Sequence, residues 1–440
     1  CGTLFPYTTL FRSAVGVARR RALVGGTDVP TRGLEGRTDR FNGSEEPRPM
    51  RLSTSLNATS ALVAVATALA TTAGAHAATV GAGGAGSIVV ANRGGGTISV
   101  IDAAGDEVVR TAPLPHGRAP AEPMYVAADP VSERFFVGDR ANDRVVAYHG
   151  RSLEPVGEIA AGDGVFHMSA NPESRRLWVV NDTAQQISVL DMNTLSPLTS
   201  FETPDDLRTF QPHDIVVDPH ANAAFVSMID VEDDDREDWV LRYDAATFQE
   251  THRARVGDGP HLAAAAVDDG KLFVPVQTDD RVQVLSREDL SALPPDIAVP
   301  AAHGEELTAD GRVLYTTNIA GGGEDGLFAV DASLQTVIDR IDTPFATPHN
   351  IAVSVDRSKL YLTHSGAEAT QVSIFDITGP DGVPVLIDTV ETDLNPFGVA
   401  AVGVTPVPLP APLALLATGV LGLAGVRAYA VRVAASVGVV

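Results

Sequence analysis

The chain has 440 residues, a formal net charge of −24 from 32 Lys plus Arg against 56 Asp plus Glu, and one cysteine. Such an acidic balance disfavours nucleic acid and anionic membrane surfaces as partners, because phosphate recognition needs a basic footprint. The sole thiol is Cys1, so the rest of the chain offers no disulfide and must be stabilised by packing.

In chain order, residues 1–49 show no apolar periodicity and read as a non-native leader, with Met50 as the expected start. Residues 50–77 have the layout of a signal peptide: Arg51, an apolar run from Ala61 to Ala73, and a small-x-small site at Ala75-His76-Ala77. A Gly-rich spacer, 78–86, follows. From 78 to 405 the balance is 21 basic against 51 acidic residues, near −30, which suits cations, basic partners or solubility.

Between 87 and 403 one strand-building phrase recurs. An apolar strand leads into an Asp or Asn turn at Asp129, Asn171, Asp218, Asp268, Asp310 and Asp356, spaced 42, 47, 50, 42 and 46 residues apart. A second strand then reads Phe135-Phe136-Val137, Leu177-Trp178-Val179, Ala224-Phe225-Val226, Leu272-Phe273-Val274, Leu314-Tyr315-Thr316 and Leu360-Tyr361-Leu362. Third strands close on Asp102, Asp191, Asp244, Asp331 and Asp376, while two blades end instead in His149 and Ser286. Repeats of this length, built from four short strands, are propeller blades. The first unit, Ile88 to Asp102, lacks an innermost strand, and the last strand, Gly398 to Val402, lacks a blade. Joining them predicts an all-β, seven-bladed β-propeller closed by the C-terminal strand pairing into the first blade, with no exposed sheet edge left at the seam.

The phrases Ser87-Ile88-Val89-Val90-Ala91-Asn92 with Thr97-Ile98-Ser99-Val100-Ile101-Asp102, and Lys359-Leu360-Tyr361-Leu362-Thr363 with Val372-Ser373-Ile374-Phe375-Asp376, resemble the YVTN repeats of YncE-like seven-bladed propellers. The resemblance implies the fold and leaves function open, since such scaffolds host binders, lactonases and metalloenzymes alike. Beyond it, residues 404–440 contain Val407-Pro408-Leu409-Pro410-Ala411, an apolar run from Leu413 to Val426, and Arg427. This resembles a VPLPA-type PEP-CTERM sorting tail. The likeness implies export to the periplasm, cell surface or medium, with transient membrane anchoring. The run is shorter than the ~20 residues of a spanning helix, and Ala428 to Val440 replaces the usual Arg cluster.

Candidate chemistry sits at the starts of the innermost strands, because positions equivalent under the rotational repeat converge on the axis. Four consecutive blades place histidine alike: Pro212-His213, Pro260-His261, Ala302-His303 and Pro348-His349. His167 lies nearby, two residues deeper by alignment, and His364, at the end of a second strand, is expected to join on the same face with Glu305 and Glu306. Neutral imidazoles in that number suit a transition metal, with copper or zinc the leading choices. The bland alternative is that Pro-His is turn punctuation copied by duplication.

Other features weigh less. The acidic run Asp230 to Asp238 could hold calcium but lacks an EF-hand order, so a solvated loop is the commoner reading. Gly321 to Gly326 reads as a flexible loop, because no helix follows to make a phosphate cradle. No Gly-x-Ser-x-Gly elbow is present. A lactonase-like activity, implied only by analogy with related propellers, would draw on His303, Glu305 and Arg93.

The expected function is therefore an exported, monomeric propeller holding a metal ion or small ligand at a His-lined mouth, with no nucleic acid partner. The alternatives are a propeller enzyme using the same site, as a copper-type oxidoreductase or a lactonase, and an extracellular scaffold for a protein partner.

Overall fold

The second and third strands of each blade read as continuous apolar runs because each sheet is covered on both faces by its neighbours. Phe135, Phe136, Leu177, Trp178, Phe225 and Phe273 are all fully buried. The computed structural model describes residues 86–403 except 219, 221, 231–236 and 265–269, so the leader, signal-peptide and tail assignments lie outside the described residues, as does most of the acidic run. Among the described residues no helix is long and apolar enough to cross a membrane.

Seven four-stranded antiparallel sheets form the ring. Blade one combines Pro396–Val402, innermost, with Ser87–Asn92, Thr97–Asp102 and Glu107–Pro113. Blades two to seven start from inner strands Pro123–Asp129, Val165–Asn171, Phe210–Asp218, Ala263–Ala264, Ala302–Leu307 and Pro348–Val353, and each adds its next three strands in chain order. The predicted closure is present, with Ser87 opposite Val402 and Val90 opposite Val399.

Seven hydrophobic clusters fill the spaces between adjacent blades. At the seam, Tyr361, Val372 and Ile374 of blade seven pack on Ile88, Val90 and Ile101 of blade one. Polar contacts cross the same seam: the Tyr361 hydroxyl donates to Asp106 at 2.8 Å, and Lys359 Nζ reaches the other oxygen of Asp106 at 2.5 Å. A fully buried pair, Arg287 and Asp218 at 2.5 Å, ties blade five to blade four. Breaking such a pair strands a charge and costs about 3–5 kcal/mol.

One turn is reused between the third and fourth strands of six blades. In each, the fifth residue is left-handed and its N–H returns to the first residue's carbonyl, as in Leu195 to Asp191 at 3.0 Å and Phe248 to Asp244 at 2.8 Å. The first residue's side chain then accepts the amides inside the turn; Asp191 Oδ1 takes those of Asn193 and Thr194, both at 2.8 Å. The two sequence departures preserve this logic. His149 Nδ1 accepts from the amides of Arg151 and Ser152 at 3.1 and 3.3 Å, and Ser286 Oγ accepts from Glu288 at 3.2 Å. The Gly321 to Gly326 segment, expected as a flexible loop, is partly strand, since Gly323 opens the strand Gly323–Asp331.

The closure yields a direct test. A chain ending after Gly403 should retain the cooperative denaturant transition of the full chain. One ending after Leu394 should lose it, because Ile88, Val89 and Val90 would then form an uncovered apolar edge; light scattering is expected to show aggregation of the shorter chain alone.

Candidate functional site

The innermost strands carry a recurring irregularity at their starts. Register shifts fall after Pro123, Val165, Pro212, Ala302, Pro348 and Pro396, each inserting one extra residue before regular pairing resumes. Such bulges re-aim side chains. Three blades anchor the bulge with a hydroxyl from the second strand: Asp214 N–H donates to Ser227 Oγ at 3.0 Å, Gly304 N–H to Thr317 Oγ1 at 2.8 Å, and Asn350 N–H to Thr363 Oγ1 at 3.0 Å. Gly304 is obligatory, because a Cβ there would collide with the His349 carbonyl of the next blade.

Residues at the starts of the inner strands form a closed circle of seven rings, one per blade; blade five contributes His261 without a bulge, since Pro260 opposite Val276 and Ala263 opposite Phe273 share one register. Adjacent centroids run from Phe397 to His349 (4.3 Å), His303 (4.8 Å), His261 (3.9 Å), His213 (4.8 Å), Phe166 (5.2 Å), Tyr125 (5.4 Å) and back to Phe397 (5.4 Å). His167 adds an eighth ring, stacked 3.6 Å from Tyr125 and 5.4 Å from His213. The strand registers place it one residue beyond the other histidines, not two, since Val165 and Pro212 both open their bulges.

Asp214, which sequence reasoning passed over, is the anion of this group. Its Oδ1 lies 2.7 Å from His167 Nδ1, and its Oδ2 lies 3.9 Å from His261 Nδ1 while accepting the Leu262 amide at 2.9 Å. Burial opposes its charge, but His167 and the neighbouring His261 and His213 outweigh burial and hold the carboxyl below the usual aspartate range. With Nδ1 bonded to Asp214, His167 presents a buried Nε2 that has no hydrogen-bond partner. His303 is arranged likewise: Nδ1 meets Gln277 Oε1 at 3.0 Å and Nε2 is buried without a partner. One ligand atom from each of His167, His213 and His261 lies within 4.8 Å of the others, and the same holds for Asp214, His261 and Glu305.

Burial, reinforced by neighbouring imidazoles, depresses His213 and His303 well below the ordinary histidine value. Burial also lowers His261 to about 4 and His349 to about 3. These rings are therefore neutral at pH 7, the form that ligates metals. Glu305 moves the opposite way, raised by burial and then by the charge of Asp214.

Two expectations are corrected. His364 does not join the ring: its Nδ1 donates to the Ala346 carbonyl at 3.2 Å and its Nε2 meets Ser373 Oγ at 2.8 Å, so both nitrogens are consumed. It occupies the place where Asn92 and Asn181 bond Ser99 and Ser188 at 2.9 and 2.8 Å, and it is a strap within its blade. Glu306 is not on the histidine face. With Glu305 it lines a cavity of about 690 Å³ at the other ends of the inner strands, where burial raises it to about 8. Of the suggested lactonase trio, Arg93 pairs with Glu122 at 2.9 Å and lies 5.2 Å over the Phe397 ring of the circle. In the acidic run, Asp238 is a structural staple that accepts the amides of Asp230 and Gly259 at 2.7 and 2.8 Å.

A ring of seven sheets with its polar groups gathered on the axis defines a seven-bladed propeller with an axial site. The chain belongs to the family of lactonase seven-bladed β-propellers, whose family model matches residues 52–303. No curated protein matches the sequence. Among solved structures, a protein from Lactobacillus plantarum aligns at 16% identity and TM-score 0.58, over 72% of this chain and 98% of that one. A putative 6-phosphogluconolactonase from Bacteroides fragilis aligns at 14% and 0.55, over 72% and 97%. The dihydro-heme d1 dehydrogenase NirN aligns at 14% and 0.51, over 72% and 75%. At these identities the likeness concerns the fold.

The buried titrations predict a stability maximum near pH 6.5. His213, His261, His303, His349 and His364 have folded pKa values below the unfolded one, so their stabilisation is complete above about 6.5 and is lost as pH falls toward the folded values. Glu305, Glu306 and Asp238 are raised, so theirs is present at low pH and is lost as pH rises through the folded values, about 8 for Glu306 and about 7 for Asp238. Five groups outnumber three below 6.5, and only the carboxyls act above it. Urea midpoints at pH 5, 6.5 and 8 should peak at the middle value, and Glu306→Gln should flatten the alkaline decline.

Proposed function

We propose that this family member is an exported, YncE-like binding propeller that holds one transition-metal ion, copper or zinc, at the axial histidines. The observation that carries this reading is the triplet His167, His213 and His261, with ligand atoms within 4.8 Å of one another and His167 oriented by Asp214. A carboxylate bonded to one imidazole nitrogen fixes the tautomer and turns the other nitrogen toward a metal. Tetrahedral nitrogen ligands at ~2.0–2.1 Å from zinc sit roughly 3.4 Å apart, so the three rings need to close by little more than an ångström. His303, with its unpartnered Nε2, is the natural fourth donor. Every donor is nitrogen or oxygen, which rules out a cysteine-held electron-transfer copper site. Export is supported by the signal-peptide pattern before Ala78 and by the VPLPA-like tail, which would anchor the chain only transiently.

Family membership favours a second reading, in which the same axis opens a lactone. Ring opening needs water at a carbonyl with a base beside it, and His167, oriented by Asp214 and with its Nε2 unpartnered, is the group suited to that role.

Elemental analysis of residues 78–405, purified from an exporting host, tests the first reading. About one copper or zinc per chain is expected, falling at least tenfold in affinity in His167→Ala, His213→Ala and His261→Ala. His364→Ala should keep its metal while losing stability, since only its strap is removed. No metal after supplementation, together with hydrolysis of a model δ-lactone that Asp214→Asn abolishes, would favour the second reading.

A further inference from the structure

The ends of the inner strands opposite the histidines enclose a feature that neither reading uses. The cavity of about 690 Å³ lies in the range typical of small-molecule sites. Its walls are apolar where the inner strands meet, at Val216, Leu262 and Val353. Two glutamates line it from blade six; the Glu305 carboxyl belongs to the group formed with Asp214 and His261, which leaves Glu306 as the carboxyl offered to the cavity.

The remaining charged lining groups are Asp310, Arg312, Arg357 and Asp381. Four acidic groups thus face two basic ones. Asp310 is occupied by the Thr308 hydroxyl at 2.7 Å and the Arg312 amide at 3.2 Å, and the Tyr315 hydroxyl by the Gly382 carbonyl at 2.7 Å. Arg357 is exposed at the rim. The deep polar capacity left for a ligand therefore belongs to Glu306, set among the apolar walls.

We propose that this cavity is a second binding site, distinct from the histidine cluster, for a small organic cation: a primary or secondary alkylammonium with a compact apolar body. The ammonium group donates to Glu306, and the body packs on Val216, Leu262 and Val353. An anionic ligand of the same size would bring its charge against the Glu306 carboxyl and find its only counter-charges at the rim.

Three probes of one shape separate these cases: benzylammonium, benzyl alcohol and benzoate, titrated by calorimetry into the chain near pH 8, where the amine is protonated. Benzylammonium should bind about tenfold or more tighter than either analogue. Glu306→Gln, which keeps size and hydrogen bonding, should remove that preference, whereas Arg357→Gln should not weaken binding. Tighter binding of benzoate, equal binding of all three, no binding, or an unchanged preference in Glu306→Gln would each overturn the proposal. The metal content of Glu306→Gln, measured in parallel, should stay at the parent value because Glu306 belongs to neither histidine group.

Discussion

Everything distinctive about this protein follows from closing seven sheets into one ring. The strand contributed by Pro396–Val402 completes blade one, and only then do seven inner strands stand side by side around an axis. Each of those strands begins at the same height, so a side chain of modest size at its start meets six counterparts from distant parts of the sequence. The rings from Tyr125 to Phe397 touch in an unbroken circle for this reason and no other. A propeller with one blade fewer would crowd them, and an open ring would leave Ile88, Val89 and Val90 at an unpaired edge.

Closure also explains the electrostatics. A chain rich in carboxylates nevertheless buries its imidazoles neutral, because desolvation on the axis outweighs the attraction of the surrounding negative charge. A single anion persists there, Asp214, and it survives because its oxygens accept from His167 and from the backbone of Leu262. Glu305, only one step away, cannot also ionise without facing that charge in a medium of low polarisability, so the two carboxyls divide into one charged and one neutral member. That division is the ordinary outcome for like charges sharing a buried site, and it gives the axis an acceptor on one side and a proton-bearing group on the other.

The fold was legible because the signals that specify it are local and repeated: turn residues at near-constant spacing, paired apolar strands, and a carboxylate capping the third strand. Even His149 and Ser286, which break the pattern in letters, keep it in hydrogen bonding. The site was legible only in part. Registered histidines could be aligned by counting from Pro212, Pro260, Ala302 and Pro348, but a bulge shifts six of the seven inner strands by one residue, and no residue type announces it. That shift moved His167 by a position and left Asp214 unnoticed. His364 misled for a complementary reason: its place in the repeat is asparagine in three other blades, and its chemistry there is that of Asn92 and Asn181, a bond to a serine on the neighbouring strand. Phe397, Phe166 and Tyr125 are apolar or weakly polar residues whose role appears only when the circle is closed.

The axis is thus asymmetric along its length. At one end eight rings pack together, and His167 and His303 supply the nitrogens that lack partners. At the other the inner strands diverge around a cavity lined by Glu305 and Glu306. Glu305 belongs to both ends, being within ligand distance of Asp214 and His261 while lining the cavity. Any charge arriving on one side is therefore felt on the other through a single buried carboxyl. A cation near Glu305 would favour its ionised form, and an ionised Glu305 would in turn raise the proton affinity of His261. Such a coupling would act through electrostatics alone, without movement of a blade.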